Sequence, residues 1–399
     1  MTGNAAGRAP RGLLAVLIWL VGSVLPKRRD RIVVHSIPDW EDGALAVVAE
    51  LRRRGHRPVL LLEPSGLTCP DVVLGADVVQ IPKNSWRGRW TYLTAAFVIT
   101  THTVYRPHRL IRGQSLVNLW HGERLGKRVG RWDGQPGLPA TWALACSVVG
   151  QAFRCVQMDL PPERVLVVGA PRNDRMLTAD QDAIRERHLR PTARYTLLWL
   201  PTYRLSAVTG RVDGDADNRA SLGFAREELD DLDSWLAAHE VDVLVKPHPL
   251  ARPADWSSRT HLRWIGPDWI NERGHSLYEL LAAVDGLVTD ASAVWVDHLL
   301  LDRPMIFAFP DIATYRARRG LLLEPFEDWV PGPLATTMPE VIAALDDLVS
   351  GRDAYQAARR EWLARAHRFR DASSTTRLLD AVGLGDSSAM PDGAGRGEQ

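Results

Sequence analysis

Several short motifs in this 399-residue sequence carry side chains suited to acid–base chemistry or to phosphate binding. The first is NLWHGERLGKRVG, in which His121 directly follows an apolar run and precedes a group of basic residues. A histidine side chain has an ordinary pKa of about 6.5, which makes His121 a candidate general base. The motif alone is equally compatible with a histidine that only fills a turn.

The motif KPHP places Lys246 beside His248 at the end of another apolar run. Prolines on both sides of His248 restrict its backbone and keep the imidazole out of a helix. A rigid histidine next to a lysine suits an anionic ligand, so we expect both residues to bind phosphate. Arg204, in LLWLPTYR, also follows an apolar run, and its planar guanidinium matches phosphate oxygens.

The motif TDASAVWVD places Asp290 and Ser292 in a predicted strand-to-helix turn. The free N–H groups and the dipole at the start of such a helix favour an anion, to which Ser292 could donate its hydroxyl. The alternative is that one of these residues only caps the helix. A further motif, GAPRND, contributes Arg172, Asn173 and Asp174, which we expect to line a cleft.

Predicted strands and helices alternate regularly around these motifs. RIVVHS reads as a strand, EDGALAVVAELRRRG as an amphipathic helix that ends at a glycine, and HRPVLLLE as the next strand. Two series of such units follow each other, which predicts an α/β protein with two Rossmann-like, doubly wound domains. In open α/β sheets, ligands bind at the carboxyl ends of the strands, and the motifs above all lie there.

The segments predicted from this pattern have the following bounds. Residues 1–30 form a basic and apolar segment, 31–175 the first domain, 176–350 the second, 351–384 C-terminal helices, and 385–399 a disordered tail. The polar stretch from Ser206 to Gly223 is interpreted as a mobile loop, either a lid or a plain surface insertion.

The N-terminal run LLAVLIWLVGSVL is flanked by basic residues on both sides. It is shorter than the roughly 20 residues of a spanning helix, and it lacks the small residues of a signal-peptide cleavage site. We predict a helix that lies in the membrane interface, held by apolar burial and by attraction to anionic lipid. The alternative is a core helix of the first domain.

Composition excludes several classes of protein. The net charge is +1, so we expect no nucleic-acid partner. The three cysteines match neither a metal site nor a disulfide framework, and a reducing compartment is expected. The dinucleotide, P-loop, zincin and hydrolase-elbow motifs do not occur, so we predict no metal and no cofactor.

In their order and spacing, the motifs NLWHGERLGKRVG, VGAPRND, LLWLPTYR, LVKPHP and VTDASAVWVDHLLLDRPMIF resemble the CDP-glycerol glycerophosphotransferase family of teichoic-acid and capsule synthesis. The resemblance covers residues 28–338. It implies a GT-B fold that transfers glycerol phosphate, or a related polyol phosphate, from CDP-glycerol to a hydroxyl of a lipid-linked or polymeric acceptor, with release of CMP. It also implies peripheral attachment to the cytoplasmic face of the membrane.

By the same resemblance, His121 matches the general base. Arg204, His248 and Ser292 match groups around the donor pyrophosphate, and Asp297 lies near the glycerol end of the donor. The sequence departs from the family pattern at Glu123 and Arg124, on the acceptor side, and at Ala291 and Ala293. Two alternatives therefore stay open: a GT-B glycosyltransferase that uses a nucleotide-sugar, and a non-catalytic scaffold of the same fold.

Overall fold

The structure is a computed structural model that describes residues 9–63, 78–105, 109–123, 125–202, 204, 213, 222–246, 259–266 and 269–387. His248, Arg124, most of the predicted mobile loop 206–223 and all but the first three residues of the tail 385–399 lie outside these residues. Within the described part, the chain forms two parallel sheets flanked by helices.

The first sheet contains seven parallel strands in the order β3-β2-β1-β4-β5-β6-β7. They are β1 (Arg28–His35), β2 (Val59–Leu62), β3 (Val79–Pro82), β4 (Ala95–Thr100), β5 (Ser115–Asn118), β6 (Trp142–Ala145) and β7 (Val165–Val167). The strand order reverses between β1 and β4. Ligand sites of such sheets lie at this switch point, outside the carboxyl ends of the strands.

The second sheet contains six parallel strands in the order β10-β9-β8-β11-β12-β13. They are β8 (Tyr195–Leu200), β9 (Val241–Val245), β10 (Leu262–Trp264), β11 (Gly286–Thr289), β12 (Met305–Ala308) and β13 (Leu334–Ala335). Its switch point lies between β8 and β11, the strands that precede Arg204 and Asp290. The α/β prediction with two parallel sheets is confirmed, although the two-residue β13 was too short to predict.

Helices cover both faces of each sheet. They are α1 (Ala9–Val24), α2 (Asp42–Arg53), α3 (Trp86–Thr94), α4 (Val148–Met158), α5 (Pro171–Leu177), α6 (Gln181–His188), α7 (Arg226–Ala238), α8 (Leu277–Ala283), α9 (Val294–His298), α10 (Ile312–Arg318), α11 (Met338–Val349), α12 (Gln356–Ala366) and α13 (Ser374–Ala381). Helix α2 ends as predicted, since Gly55 adopts a positive φ of 80°.

Strand residues alternate between two buried layers, because successive side chains point to opposite faces of a sheet. In the second sheet, Leu198 packs with Trp295 on one face, whereas Trp199 packs with Leu236 on the other. Both faces are apolar, which explains why the strands read as continuous hydrophobic runs rather than alternating ones.

The last helix, α13, returns to the first sheet after the chain has completed the second. Leu378 and Leu379 pack in the same core as Val47 of α2, and Arg54 Nη1 lies 2.6 Å from Asp380 Oδ1. The chain therefore crosses between the two halves twice. The segment bounds given above stay predictions.

Helix α1 forms where the apolar N-terminal run predicts it, and it packs through one side only. Ile18 contacts the core beside β1, whereas Leu13 is 78% and Val24 82% exposed. Lys27 ends the helix by donating to the carbonyl of Gly22 at 2.5 Å and of Leu93 at 2.6 Å, so its ammonium group faces the protein. No helix in the described part of the chain is both long and apolar enough to cross a membrane.

Candidate active site

His121 lies in a tight turn directly after β5, at the carboxyl edge of the first sheet. Trp120 adopts a left-handed backbone conformation with a φ of 54°, which is uncommon outside glycine. The Asn118 side chain stabilises this turn, because its Oδ1 accepts the N–H of Trp120 at 2.9 Å. The short polar side chain of Asn118 therefore stabilises the turn that places His121 at the carboxyl edge of the first sheet.

Two aromatic rings lie against the imidazole of His121. The ring of His102, which follows the neighbouring strand β4, is parallel to it within 5° at a centroid distance of 4.2 Å. The indole of Trp120 lies 4.6 Å away at 26°. His102 was not predicted as a site residue, although its position after an apolar run is the same signal that selected His121.

The turn after β11 is organised by the carboxylate of Asp290. This carboxylate accepts the backbone N–H of Thr202 at 3.0 Å, its hydroxyl at 2.8 Å, and the backbone N–H of Ser292 at 3.2 Å. Helix α9 begins two residues after Ser292. Asp290 is buried, and its carboxylate shapes the turn that presents Ser292.

Arg204 lies at the switch point of the second sheet and is held by two carboxylates. Its Nε and Nη2 donate to Asp311 at 2.7 and 2.8 Å, and its Nη1 donates to Asp290 at 2.8 Å. The guanidinium also lies 5.2 Å from the ring centre of Phe309. Burial alone would lower the pKa of Arg204, but the two aspartates outweigh it and raise that pKa above its usual range.

The His121 turn and the Ser292 turn meet across the two halves of the molecule. A Cβ atom added at Gly122 would lie 2.7 Å from the Cβ of Ala293, and one at Gly126 would lie 2.7 Å from the carbonyl oxygen of Ala291. The N–H of Leu322 donates to the carbonyl of Gly126 at 2.8 Å. Gly122 and Gly126 allow the two turns to approach this closely because they carry no Cβ atom. On the other side, the small Ala291 and Ala293 leave room for the same approach.

The segment after His121 docks onto the second half rather than extending into solvent. Lys127 forms an antiparallel bridge with Leu321, and the Nε of Arg128 donates to the Leu321 carbonyl at 3.2 Å. Arg131 is half exposed and lies 3.7 Å from Asp159. Part of the basic run thus joins the two halves.

Glu123, a departure from the family pattern, points into the protein. Its carboxylate accepts the N–H of Cys146 at 3.3 Å and lies 3.8 Å from Arg154 Nη2. Gly150 lies so close that a Cβ atom there would be 2.0 Å from the Glu123 carboxylate. Glu123 is therefore accommodated inside the protein by a buried arginine and a glycine.

Asp297 and Arg172 form a buried ion pair between α9 and α5. Nε and Nη2 of Arg172 each lie 2.9 Å from one carboxylate oxygen, and the hydroxyl of Tyr278 donates to the same carboxylate at 2.8 Å. Asp297 is 0% exposed. Both oxygens of Asp297 are thus engaged by protein groups, and its contact with the donor stays a prediction.

The other two residues of the GAPRND motif are also buried. The carboxylate of Asp174 accepts the N–H groups of Ser374 and Thr375 at 3.0 and 2.7 Å, and thereby holds the start of α13. Asn173 is 2% exposed, and no described residue bonds its Oδ1. All three residues that we expected to line a cleft, Arg172, Asn173 and Asp174, are buried in the described structure.

Lys246 ends β9 and faces the first half of the molecule. Burial lowers its pKa, and the negative charge of Asp42 at the start of α2 opposes that effect. Asp42 in turn lies 3.5 Å from Arg175 Nε and accepts the N–H of Tyr278 at 3.4 Å. Burial, partly offset by Arg175, raises the pKa of Asp42 to about 6.

Glu41, next to Asp42, caps α2 by accepting the N–H of Ala44 at 3.1 Å. Burial and the neighbouring Asp42 raise the pKa of Glu41 to about 7, although Arg172 opposes this. Sequence reasoning missed this acidic pair because a Glu-Asp dipeptide before a helix is the ordinary pattern of an N-terminal cap.

The structure thus brings the His121 turn, which follows β5 of the first sheet, against the turn of Asp290 and Ser292 at the switch point of the second sheet, where Arg204 also lies. Lys246 follows the neighbouring strand β9. His248 lies outside the described residues. No group of three or more histidine, cysteine or acidic side chains in the described part of the chain is arranged to hold a metal ion.

Comparisons with known proteins identify the family and the fold of the chain. The model of the family described as CDP-Glycerol:Poly(glycerophosphate) glycerophosphotransferase matches residues 144–384. A teichoic acid ribitol-phosphate primase of Bacillus spizizenii is 29% identical over 246 residues, which cover 59% of this chain and 56% of that protein. The teichoic acid ribitol-phosphate polymerase TarK of Staphylococcus aureus is 24% identical over 300 residues, covering 71% of this chain and 55% of that protein. The chain therefore spans about half the length of these relatives.

Among solved structures, a variant of the wall teichoic acid polymerase TagF soaked with CDPG has a TM-score of 0.73 at 18% identity. The match covers 94% of this chain and 93% of that one. At this identity the likeness shows the fold, and it confirms the GT-B prediction. Because the family model matches more than half of the sequence, the chain belongs to the CDP-Glycerol:Poly(glycerophosphate) glycerophosphotransferase family.

Proposed function

We propose that the protein transfers a polyol phosphate from a CDP-activated polyol to a hydroxyl group of a lipid-linked or polymeric acceptor and releases CMP. The observation that carries the proposal is the contact between the His121 turn and the Ser292 turn, where Gly122 abuts Ala293. A base from one half and an anion-suited turn from the other thereby face the same space. Family membership supports this chemistry.

In the proposed reaction, the acceptor hydroxyl attacks the phosphorus atom that bears the polyol. His121 accepts the proton of that hydroxyl and a new P–O bond forms. The bond between the same phosphorus and the bridging oxygen of the pyrophosphate breaks, so that CMP leaves with this oxygen. Phosphoryl transfer asks little covalent chemistry of a protein, so positioning and charge stabilisation supply most of the rate.

The donor pyrophosphate is proposed to lie at the switch point of the second sheet, near Ser292 and Lys246. Ser292 is partly exposed in a turn held by Asp290, and its backbone N–H is already bonded to that carboxylate, so its hydroxyl is the group that would face the donor. Arg204 contributes positive charge beside this turn, although its guanidinium is held by Asp290 and Asp311. His248 remains a proposed donor ligand on the basis of its motif.

Arg172 and Asp297 are proposed to act through position rather than contact. Their buried ion pair ties α5, which follows the first sheet, to α9, which follows the Ser292 turn. It therefore fixes the orientation of the donor turn relative to the half that carries His121.

The decisive experiment is to incubate the purified chain with CDP-glycerol, CDP-ribitol and UDP-sugars in the presence of bacterial membranes. We expect CMP release from one of the CDP-polyols, and the comparison distinguishes glycerol from ribitol. UDP release from a UDP-sugar would instead identify a glycosyltransferase. Donor binding without nucleotide release from any of them would indicate a non-catalytic scaffold.

The membrane attachment is also a proposal, placed at the cytoplasmic face. Helix α1 exposes Leu13, Leu17 and Val24, and the neighbouring α3 exposes Trp86, whose ring lies 6.2 Å from that of Trp90. Tryptophan and leucine are the side chains that bind the boundary between lipid headgroups and acyl chains. A one-sided apolar helix with adjacent indoles fits the interface of a bilayer, where the acceptor lipid would reside.

A further inference from the structure

We propose that His102 is a positioning residue that fixes the ring plane of His121 by stacking flat against it. The proposal rests on the proposed function, in which His121 is the base. It concerns a residue that the family resemblance did not select, and it depends on four features of the described structure.

The first feature is the freedom of a histidine side chain. The χ2 torsion of histidine joins a tetrahedral carbon to a planar ring, and such torsions are broad rather than confined to three narrow wells. The rotamer of His121 therefore does not by itself determine where its ring nitrogens point. A base acts only when the accepting nitrogen is aimed at the proton, so another group must restrict the ring.

The second feature is the geometry of the stack. The imidazole rings of His102 and His121 are parallel within 5° at 4.2 Å between centroids. The indole of Trp120 is tilted by 26° and lies farther away at 4.6 Å. Rotation of the His121 ring about χ2 would drive its edge into His102, so the stack restricts the torsion that the rotamer leaves open.

The third feature is that His102 is itself firmly held. Its ring Nδ1 lies 3.1 Å from the hydroxyl oxygen of Thr101, which also accepts the N–H of Ile37 at 3.2 Å. The N–H of His102 is 3.3 Å from the hydroxyl oxygen of Thr100. Both threonines are fully buried. A platform can orient a neighbour only if its own position is determined, and these contacts determine it.

The fourth feature is a direct link between the two turns. The side chain of Asn118 donates from Nδ2 to the carbonyl of His102 at 3.0 Å and accepts the N–H of Trp120 at Oδ1. One amide therefore sets the separation of the backbone segments that carry the two histidines. The two stacked histidines therefore follow adjacent strands, β4 and β5, whose relative position is fixed by the sheet.

The test separates the flat ring of His102 from its polar nitrogen. His102→Phe keeps a flat ring, whereas His102→Gln keeps a polar group near Thr101 and removes the ring. With the CDP-polyol that the wild-type chain uses, we expect His102→Gln to lower kcat by about 10- to 100-fold with little change in KM for the donor. His102→Phe should retain most of the wild-type kcat.

A matched control is available at the end of α7. His239 also stacks on an aromatic ring, that of Trp235, at 4.1 Å and 18°, but it lies outside the proposed site. His239→Gln should leave kcat unchanged. Thermal melting of each variant establishes that it is folded, and His102→Tyr takes the place of His102→Phe if the latter fails to fold.

Three results would overturn the proposal while leaving the proposed function intact. They are a His102→Gln variant with wild-type kcat, a folded aromatic variant as impaired as His102→Gln, and a change confined to KM. A wild-type chain that releases no CMP from either CDP-polyol would instead overturn the proposed function, and this proposal with it.

Discussion

Arg172 and Asp297 form a two-point ion pair that is closed to solvent, although 125 residues separate them in the sequence. The pair joins the segment after the first sheet to the helix that follows the donor turn. Since a buried charge without its partner is costly, this contact links the relative orientation of the two halves to the stability of the fold.

Removal of one partner should therefore strongly lower the stability of the fold. We expect Asp297→Ala to lower the free energy of unfolding by about 3–5 kcal/mol, because the guanidinium of Arg172 stays buried without a counter-charge. The exposed pair Asp347 and Arg352 provides the control, and Asp347→Ala should cost less than about 1 kcal/mol. Urea unfolding followed by circular dichroism measures both, and equal costs would contradict the structural role of the pair.

The role of His121 predicts a loss of turnover rather than of binding. His121→Ala should lower kcat for CMP release by about 10²- to 10⁴-fold, which is the usual contribution of a general base. The affinity for the CDP-polyol, measured by calorimetry, should change little, because the proposed donor groups lie in the second half. Weakened donor binding with kcat retained would argue that His121 holds the donor instead.

The contact between the two turns predicts that Gly122 cannot be enlarged. A methyl group there would meet the Cβ of Ala293, and both turns have backbone contacts that resist movement. Gly122→Ala should reduce the rate of CMP release strongly. It should lower the melting temperature only slightly. Gly266→Ala is the matched control, since no atom lies within 4 Å of a Cβ at that position. Full activity of Gly122→Ala would show that the two turns separate during turnover.

The acidic pair at the start of α2 predicts an unusual dependence of stability on pH. The folded-state pKa of Glu41 is about 7, above its ordinary value of 4.5. Between these values the folded chain binds more protons than the unfolded chain, so wild-type stability falls as the pH rises. Glu41→Gln removes this titration. Relative to wild type, the variant should therefore gain about 2–3 kcal/mol of unfolding free energy between pH 5 and pH 8.

Glu50 on the same helix is the control with the opposite sign. Hydrogen bonds from Arg53 and Arg54 outweigh burial and lower the pKa of Glu50 to about 2. The ionised carboxylate of Glu50 stabilises the fold fully above the ordinary pKa of glutamate, and this stabilisation is lost only in acid. Glu50→Gln should therefore show a constant deficit in melting temperature between pH 5 and pH 8, whereas the Glu41→Gln difference changes steadily over that range. Parallel curves for the two variants would refute the raised pKa of Glu41.

The sequence predicted the strands well because each is a short apolar run buried on both faces. It also predicted that polar residues after these runs share an edge, which places Arg204 beside Asp290. It could not predict that Asp311, 107 residues from Arg204, holds the same guanidinium, nor that α13 returns to α2. Such pairings depend on strand order and chain crossings, about which local periodicity carries no information.

The same reason explains why the sequence did not predict His102 as a site residue. His102 and His121 meet only because β4 and β5 are neighbours in the sheet, and neither residue type nor spacing reveals that adjacency. At Asp297, a motif match suggested a ligand contact. Burial and the partner from α5 show a structural contact. Motifs thus indicated which polar residues follow the strands, whereas the contacts of each side chain could be read only from the packing.

The exposed side of α1 predicts membrane binding that depends on its leucines. Leu13, Leu17 and Leu20 are each at least half exposed, whereas Ile18 packs against the protein. The triple replacement of these leucines by serine therefore removes apolar surface without opening the core. Each leucine contributes about 1–2 kcal/mol when buried in lipid, so we expect binding to anionic vesicles to weaken by at least about a hundredfold.

Helix α4 provides the control, because Val148, Val149 and Val156 are also exposed but lie on a different element. Their replacement by serine should leave vesicle binding unchanged. Co-sedimentation with vesicles of anionic and of neutral lipid measures both sets, and the melting temperature verifies folding. Undiminished sedimentation of the leucine variant would contradict attachment through α1. Equal losses in both variants would mean that the chain adheres to lipid through any exposed apolar side chain, because only attachment through α1 predicts a difference between the two helices.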